Sequence, residues 1–331
     1  MFKIKFQGVI SIKISLIIPC YNEESSLLPF YDELKKVSLQ MESYDFEFIF
    51  VDDGSKDKTL SILKDLAKTD ERVTYISFSK NFGKESAMYA GFCNATGDYT
   101  AVMDADMQDP PSLLPQMVEI LERGEYDSVA TRRVSRKGEP VLRSLFARCF
   151  YRIMRRSTNV DIVTGARDFR LMKREMVEAI VSMCESTRFS KAIFGWIGFK
   201  THWLPFENVE RVAGESKWSF WKLFKYSLDG IIGFSNSPLK ISLFFGILFM
   251  LGSFAPLGFS IYNAVTCNLP NVWDCSAFTT LLLVFSVLFI SGILLICLYV
   301  VSMYIAKIYN EVKNRPHYIV AQTNKKDVVK K

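Results

Sequence analysis

One long stretch of this sequence is too apolar for an ordinary soluble enzyme. From Ile241 to Ala306 it contains no Lys or Arg, and Asp274 is its only acidic residue. A transmembrane helix needs about 20 apolar residues, and one Lys at the centre of a bilayer costs about 3 kcal/mol. The stretch therefore predicts two transmembrane helices, at about 241–265 and 277–306.

Basic residues beside these spans predict how the chain crosses the membrane. Lys240 precedes the first span, and Lys307, Lys313 and Arg315 follow the second. Because cytoplasmic flanks are rich in Lys and Arg, we expect a multi-pass protein of the cytoplasmic membrane. Both termini and the domain before the spans would be cytoplasmic, and Thr266–Ser276 would be a short external loop.

The external loop and the two ends of the chain allow weaker predictions about a disulfide, disorder and secretion. Cys267 and Cys275 lie in the loop and could be bridged or free. The tail Thr323–Lys331 is polar and basic, which predicts a disordered segment that is drawn to acidic lipid. Lysines at positions 3, 5 and 13 interrupt the apolar N-terminus, which argues against a secretory signal.

Charge and cysteine usage narrow the class of partner. The net charge of +6 lies almost wholly outside the apolar stretch, which favours an anionic partner such as a phosphate or a membrane surface over nucleic acid. Seven cysteines without CxxC spacing and only two histidines argue against a zinc site. Cys20, Cys93, Cys149 and Cys184 are interpreted as small buried hydrophobes in a reducing compartment.

The first part of the chain alternates between strands and helices. Short apolar runs predict five strands, at Ile12–Pro19, Phe46–Val51, Val73–Phe78, Tyr99–Met103 and Ser128–Ala130. Helical patterns between them cover Ser26–Gln40, Thr59–Ala67, Lys84–Ala95 and Ser112–Arg123. This alternation predicts an α/β fold with a mostly parallel sheet and helices on both faces.

Three of these strands end in polar loops, namely Tyr21-Asn22-Glu23, Asp52-Asp53 and Asp104-Ala105-Asp106. In such sheets ligands bind beyond the carboxyl ends of the strands. Neither a GxGxxG fingerprint nor a P-loop is present. A bound nucleotide would therefore be held by carboxylates, a metal and basic side chains.

The acid pair Asp104 and Asp106 predicts a metal site. A hard cation such as Mg²⁺ or Mn²⁺ is held by one or two carboxylates together with substrate phosphates. Such a metal would neutralise the diphosphate of a nucleotide sugar and make it a better leaving group. Asp53 and Glu23, at neighbouring strand ends, either accept hydrogen bonds from base or ribose hydroxyls or cap helices.

Two segments have the pattern of basic amphipathic helices. The first extends from Arg132 to Arg156, where nine basic residues face one acid, Glu139. The second covers about Ser219–Phe234 and has lysines near its start. Helices of this kind lie on an anionic membrane surface, or else pack on their own domain and leave the basic face in water.

Four polar motifs follow strands or precede helices: Pro19-Cys20-Tyr21-Asn22-Glu23-Glu24, Val51-Asp52-Asp53-Gly54-Ser55, Asn81-Phe82-Gly83-Lys84 and Asp104-Ala105-Asp106-Met107-Gln108-Asp109-Pro110-Pro111. Together they resemble the motifs of the inverting glycosyltransferases of family 2, which have the GT-A fold. Two further segments are Arg167-Asp168-Phe169-Arg170-Leu171-Met172 and Arg211-Val212-Ala213-Gly214-Glu215-Ser216-Lys217-Trp218. These resemble the polyprenyl-phosphate subgroup, which includes the bactoprenol glucosyltransferases.

The resemblance implies roles for individual positions. Asp104 and Asp106 would hold Mg²⁺ or Mn²⁺, with Gln108 beside it. The nucleotide sugar would be bound by Pro19, Tyr21, Glu23, Val51, Asp53, Lys84 and Ala105. The diphosphate and the acceptor phosphate would lie among Arg132, Arg211 and Lys217. The catalytic residues would be Asp106, Asp168 and Arg132.

Arg167 departs from the family pattern, which often has Gly before this Asp. An Arg there could pair with Asp168 and lower its pKa, which weakens the case for Asp168 as a base. A lipid phosphate is already anionic at neutral pH, so it needs positioning and charge relief rather than deprotonation. Asp168 is therefore either a base or a residue that orients the sugar or an arginine.

The sequence thus predicts transfer of one sugar, with a UDP-sugar favoured, to polyprenyl (undecaprenyl) phosphate at the cytoplasmic face. The alternatives are a processive polysaccharide synthase and a non-catalytic membrane protein that binds nucleotide sugars. The expected domains are a nucleotide-sugar-binding core at 1–131, an acceptor-side part at 132–235, membrane helices at 236–309 and a basic tail at 310–331. The resemblance also implies a homo-oligomer.

Overall fold

A computed structural model describes residues 11–133, 163, 165–185, 188–206 and 272–329, with a few isolated positions between 244 and 258. The chain divides into two compact units, Met1–Ser227 with Arg315–Lys331, and Leu228–Asn314. The described residues leave out most of the predicted basic segment Arg132–Arg156, the predicted helix Ser219–Phe234, most of the first predicted span and the loop cysteine Cys267. They also leave out Arg211 and Lys217.

The first unit is built on one sheet of eight strands. They are β1 (Ile12–Cys20), β2 (Tyr44–Asp52), β3 (Val73–Phe78), β4 (Tyr99–Val102), β5 (Ser128–Arg133), β6 (Ala166–Lys173), β7 (Thr201–Phe206) and β8 (Val320–Thr323). Their spatial order is β7-β5-β6-β4-β1-β2-β3-β8. Strands β1 to β4 pair in parallel, as do β5 and β7, whereas β6 and β8 are antiparallel to their neighbours.

Helices cover both faces of this sheet, as the sequence predicts. They are α1 (Leu27–Gln40), α2 (Thr59–Thr69), α3 (Lys84–Asn94), α4 (Leu114–Glu122), α5 (Arg174–Ser182) and α6 (Ser190–Trp196), and a short 3₁₀ turn at Pro111–Leu113 precedes α4. Apolar residues of α1, α2 and α4 form one core with Ile14, Leu16 and Ile18 of β1. Helix α3 packs on the other face, where a Cβ on Gly91 would lie 2.1 Å from Ile17 Cγ2.

Three strands were not predicted. β6 carries Arg167, Asp168, Arg170 and Lys173 among its eight residues, so its sequence lacks the apolar run of a buried strand. β7 and β8 are short strands at the two edges of the sheet. β5 extends to Arg133, so the predicted basic helix does not begin at Arg132: that residue and the next belong to a strand.

The C-terminal tail is ordered as far as residue 329, which corrects the prediction of disorder. β8 forms the edge of the sheet by pairing with β3, and the Asn324 side chain accepts from Tyr75 N at 2.8 Å and donates to Val73 O at 2.9 Å. The ring of Tyr318 stacks on Phe78 with a centroid distance of 4.9 Å. Backbone pairing at an open sheet edge orders the tail, and this needs no apolar pattern.

The second unit contains a helix, α7 (Val272–Val312), of 41 residues. Its part Leu283–Val312 contains an 18-residue window with a mean hydropathy of 2.8, and it is long and apolar enough to cross a membrane. Because α7 begins at Val272, residues 272–276 are helical and not part of a loop as predicted. Within the described part of the chain this is the one helix with the length and composition of a membrane span.

The cysteine interpretation is confirmed only in part. Cys20 is buried at the end of β1, whereas Cys93 is half-buried and Cys184 is exposed. Cys184 follows α5, and its thiol lies 3.9 Å from the hydroxyl of Tyr89. Cys149 lies outside the described residues.

Candidate active site

The three predicted polar loops lie at one edge of the sheet. β4, β1 and β2 are parallel neighbours, so the residues after Val102, Cys20 and Asp52 share the carboxyl edge. Asp104 and Asp106 follow β4 in a tight turn in which Asp106 Oδ1 accepts from Gln108 N at 3.1 Å. Met107 has a φ of 61°, a conformation that non-glycine residues adopt rarely and mostly at special sites.

Lys84 joins the acid pair to Asp168. Its Nζ lies 2.6 Å from Asp104 Oδ1 and 2.5 Å from Asp168 Oδ2. Burial alone would lower the pKa of Lys84, but the two carboxylates outweigh it and raise the pKa well above its usual value. A permanent ammonium group therefore lies between β4 and β6.

Asp168 is held in its ionised form. Burial would raise its pKa, but the ammonium groups of Lys84 and, 4.0 Å away, Lys191 hold the pKa of this carboxyl well below its usual range. A carboxylate with so low a pKa is a poor proton acceptor at neutral pH. The geometry thus favours a positioning role for Asp168 over a general base.

Arg167 has a different partner from the predicted one. Its Nε donates to Asp109 Oδ1 at 2.9 Å and its Nη2 to Gln108 Oε1 at 3.4 Å, and no ion pair joins it to Asp168 in the described part of the chain. The reason is geometric, since successive side chains of a strand point to opposite faces. The prediction of a lowered Asp168 pKa is right in direction, but lysines are its main cause.

Asp109 is an acid of this site that sequence reasoning missed. It is fully buried, and burial raises its pKa to about 6 although Arg167 pulls in the opposite direction. Its Oδ2 has no hydrogen-bond partner within the described residues. Its place directly after the acid pair and before two prolines was a signal that could have identified it.

Asp53 supports the loop that carries Lys84. Its carboxylate accepts from the backbone N–H groups of Phe82 at 2.6 Å and Gly83 at 2.9 Å. Burial raises the pKa of Asp53 to about 6 despite these hydrogen bonds. Gly54 lets the chain after β2 approach the same loop closely, since a Cβ on it would lie 2.4 Å from the Lys80 carbonyl carbon. Both Asp53 oxygens are therefore used within the protein.

Glu23 has a hydrogen bond at the start of α1, where its Oε2 accepts from Ser26 Oγ at 2.7 Å. This contact joins two side chains and is not a helix cap, since no described side chain caps the backbone N–H groups of α1. Pro19 and Val51 are register partners on β1 and β2, and Val51 is fully buried.

The remaining predicted residues differ in exposure. Tyr21 is half-buried directly after β1, and Ala105 is buried between the two acids of the pair. Arg132 is exposed on β5. Among the predicted site residues, direct ion pairs join Lys84 to Asp104 and Asp168. Val51 and Ala105 are buried and have little surface to offer a ligand.

The acid pair fits a hard divalent cation by the chemistry of its donors. Both ligands are carboxylates without a competing His or Cys, and Lys84 shows that Asp104 already attracts a cation. No group of three or more His, Cys, Asp or Glu in the described part of the chain could enclose a metal.

A family model and the most similar known proteins point to the same family. Residues 15–181 match the model of glycosyl transferase family 2. The glycosyltransferase CsbB of Bacillus subtilis is 41% identical over 311 residues, which cover 94% of this chain and 92% of that protein. The bactoprenol glucosyl transferase of Shigella phage SfII is 37% identical over 313 residues, 95% of this chain and 99% of that one. A prophage bactoprenol glucosyl transferase homolog of Escherichia coli K12 is 36% identical over 318 residues, with coverage of 95% and 100%.

Proposed function

The chain belongs to glycosyl transferase family 2, and from this premise we propose that it moves one sugar from a nucleotide diphosphate sugar to a polyprenyl phosphate. A UDP-sugar and undecaprenyl phosphate are the favoured substrates. The observation that carries the proposal is the ammonium of Lys84 between Asp104 and Asp168. Relatives named bactoprenol glucosyl transferase, similar over nearly their whole length, support this acceptor class.

In this proposal Asp104 and Asp106 hold Mg²⁺ or Mn²⁺ against the donor. The metal would supply charge neutralisation to the diphosphate that leaves the sugar. The buried Asp109, which accepts a hydrogen bond from Arg167, would stabilise the turn that presents both carboxylates. Asp53 fixes the loop before α3 and with it the position of Lys84.

Asp168 would act by holding Lys84 rather than by taking a proton. The acceptor phosphate is an anion at neutral pH and can attack the anomeric carbon directly. It must approach a second anion, the diphosphate, so nearby cations reduce the repulsion. Lys84 offers such a cation at the acid pair, and Arg132, Arg211 and Lys217 would add others by the family pattern. Inversion at the anomeric carbon follows from a single in-line displacement.

Attachment to the cytoplasmic membrane completes the proposal. The apolar part of α7 supports one span, and the apolar run before it in the sequence would supply the other. The predicted domains, at 1–131, 132–235, 236–309 and 310–331, stay our proposal, as do cytoplasmic termini and a homo-oligomer. Polyprenyl phosphates are membrane lipids, so an anchored domain meets its acceptor at the surface.

Purified protein incubated with labelled nucleotide sugars and undecaprenyl phosphate tests the function. Label in organic-extractable lipid is the expected result. Label in polymer would support a processive synthase, and binding without transfer would support a non-catalytic protein. Asp106→Asn should lower turnover about 100-fold through lost metal binding, whereas the exposed Asp65→Asn on α2 should leave it unchanged. Near-normal turnover in Asp106→Asn would refute the metal assignment.

A further inference from the structure

A cavity of about 280 Å³ lies beside the candidate active site. Its walls combine three basic side chains, Arg167, Arg170 and Lys191, with the aromatic rings of Phe194, Phe199 and Trp203. None of the described residues that line it is acidic. Cations and aromatic rings without acids suit a ligand that has an anionic group and an apolar part.

Arg170 is the central feature of this cavity. It is only 4% exposed, and both of its hydrogen bonds come from Nη1, to Ser128 Oγ and Thr201 Oγ1 at 3.0 Å each. Its buried Nε has no acceptor within the described residues. Its guanidinium lies 4.7 Å from the centre of the Phe194 ring and 5.2 Å from that of Trp203.

The charge of Arg170 has no close counter-ion in the described part of the chain. Burial lowers its pKa to about 10, with Asp168 acting in the opposite direction, so the group still carries its charge at neutral pH. Neutral hydroxyls and aromatic faces offset a buried charge only in part. An anion in the cavity would complete the coordination.

The other two cations differ in how far they are neutralised. Arg167 is paired with the buried Asp109 at 2.9 Å. Lys191 is only 4.0 Å from Asp168, whose other oxygen is bound by Lys84 at 2.5 Å. Lys191 and Arg170 are therefore the two groups most available to an anion.

We infer that this cavity binds the phosphate of the acceptor lipid through Arg170 and Lys191, with the first isoprene unit against Phe194, Phe199 and Trp203. The inference rests on the proposed function. Apolar rings suit a hydrocarbon chain better than they suit the hydroxyls of a sugar. The donor diphosphate is left to the acid pair, on the far side of the Lys84–Asp168 link.

This placement fits the bond changes of the reaction. An oxygen of the lipid phosphate forms a bond to the anomeric carbon while the bond from that carbon to the diphosphate breaks. The electron pair leaves with the nucleoside diphosphate, and no proton has to be transferred. Lys191 pairs with Asp168, Asp168 pairs with Lys84, and Lys84 pairs with Asp104. A short chain of ion pairs therefore joins the proposed acceptor and donor sites.

Steady-state kinetics of Lys191→Gln provide the first test. Loss of a charge-assisted hydrogen bond should raise KM for the lipid phosphate about tenfold or more. KM for the nucleotide sugar should stay the same, and Lys191→Arg should restore most of the acceptor affinity. Lys68→Gln, on the exposed face of α2, is the matched control and should change neither constant. An unchanged acceptor KM in Lys191→Gln would overturn the inference.

Direct binding separates this inference from the proposed function. Geranylgeranyl phosphate should bind the purified full-length protein in a calorimeter, and Lys191→Gln should weaken it by a similar factor. Inorganic phosphate should bind far more weakly, and equal affinity for both would overturn the lipid assignment. If the wild type transfers no sugar but binds geranylgeranyl phosphate through Lys191, the cavity assignment stands and the proposed function fails. If sugar is transferred and the acceptor KM does not depend on Lys191, the proposed function stands and the cavity assignment fails.

Discussion

Replacing Lys84 with Met removes the cation between Asp104 and Asp168 and keeps most of the side-chain volume. Loss of one partner from a buried ion pair costs about 3–5 kcal/mol, whereas exposed pairs contribute about 0–1 kcal/mol. The Lys84 side chain is 34% exposed and its two partners are 23% and 18% exposed. An intermediate loss of about 2 kcal/mol is therefore expected. This corresponds to a fall in Tm of about 4–8 °C for a domain of this size.

The pH dependence of that loss tests its electrostatic origin. In the wild type the pKa of Asp168 is lowered in the folded state, so its contribution is present at neutral pH and is lost as the pH falls below about 4. In Lys84→Met, Asp168 is still buried but no longer faces Lys84, so the pKa of Asp168 rises. Lowering the pH should therefore stabilise the folded state of this variant. The difference in Tm between wild type and Lys84→Met should thus narrow as the pH falls from 7 toward 4.

Thermal unfolding followed by circular dichroism at several pH values measures both effects. Lys68→Met serves as a control, because its ion pair with Asp65 on the surface of α2 is fully solvated. A Tm for Lys84→Met equal to that of the control at pH 7 would refute the reasoning about the buried cation. A gap that stays constant with pH would show that lost packing, rather than charge, causes the destabilisation.

Three further predictions use the same contacts. Mn²⁺ should raise the Tm of Lys84→Met more than that of the wild type, because the Lys84 ammonium group and the metal would compete for Asp104. An equal rise in Tm would show that they do not compete. Asp168→Asn should slow turnover but keep the shape of the pH–rate profile between pH 6 and 8, since the wild-type pKa of this carboxyl lies far below that range; loss of a basic limb in the profile would restore the role of a base. Asn324→Ala should cost about 1 kcal/mol and increase hydrogen exchange at the β3 amides, whereas the exposed Lys326→Ala should do neither.

The parallel half of the sheet could be predicted because its strands are covered on both faces. Residues such as Ile17 and Phe50 come from uninterrupted apolar runs, and helical patterns separate those runs at regular intervals. Alignment of the polar strand ends then follows from topology alone. For the same reason the acid pair could be placed at the correct edge of the sheet from its position after a strand.

The contacts that organise the site could not be predicted, because they depend on long-range packing. Lys84, Asp104 and Asp168 are far apart in the sequence, and no spacing rule connects them. β6 was missed because its charged residues are neutralised by partners from other elements, among them Asp109 and Lys84. Where hydrogen bonds and ion pairs replace apolar burial, hydrophobic periodicity gives no signal.

The position of β8 has a consequence for how the molecule is synthesised. Its partner β3 ends at Phe78, whereas β8 begins at Val320, after the whole of α7. The ribosome therefore completes every other strand of the sheet, and the long apolar helix, before it releases the strand that covers this edge. A fragment cut before α7 to obtain a soluble enzyme would leave the outer edge of β3 without a partner strand and would remove the ring of Tyr318 from Phe78. Such a fragment should aggregate through β3, and fusing residues 315–329 back to it through a flexible linker should restore it.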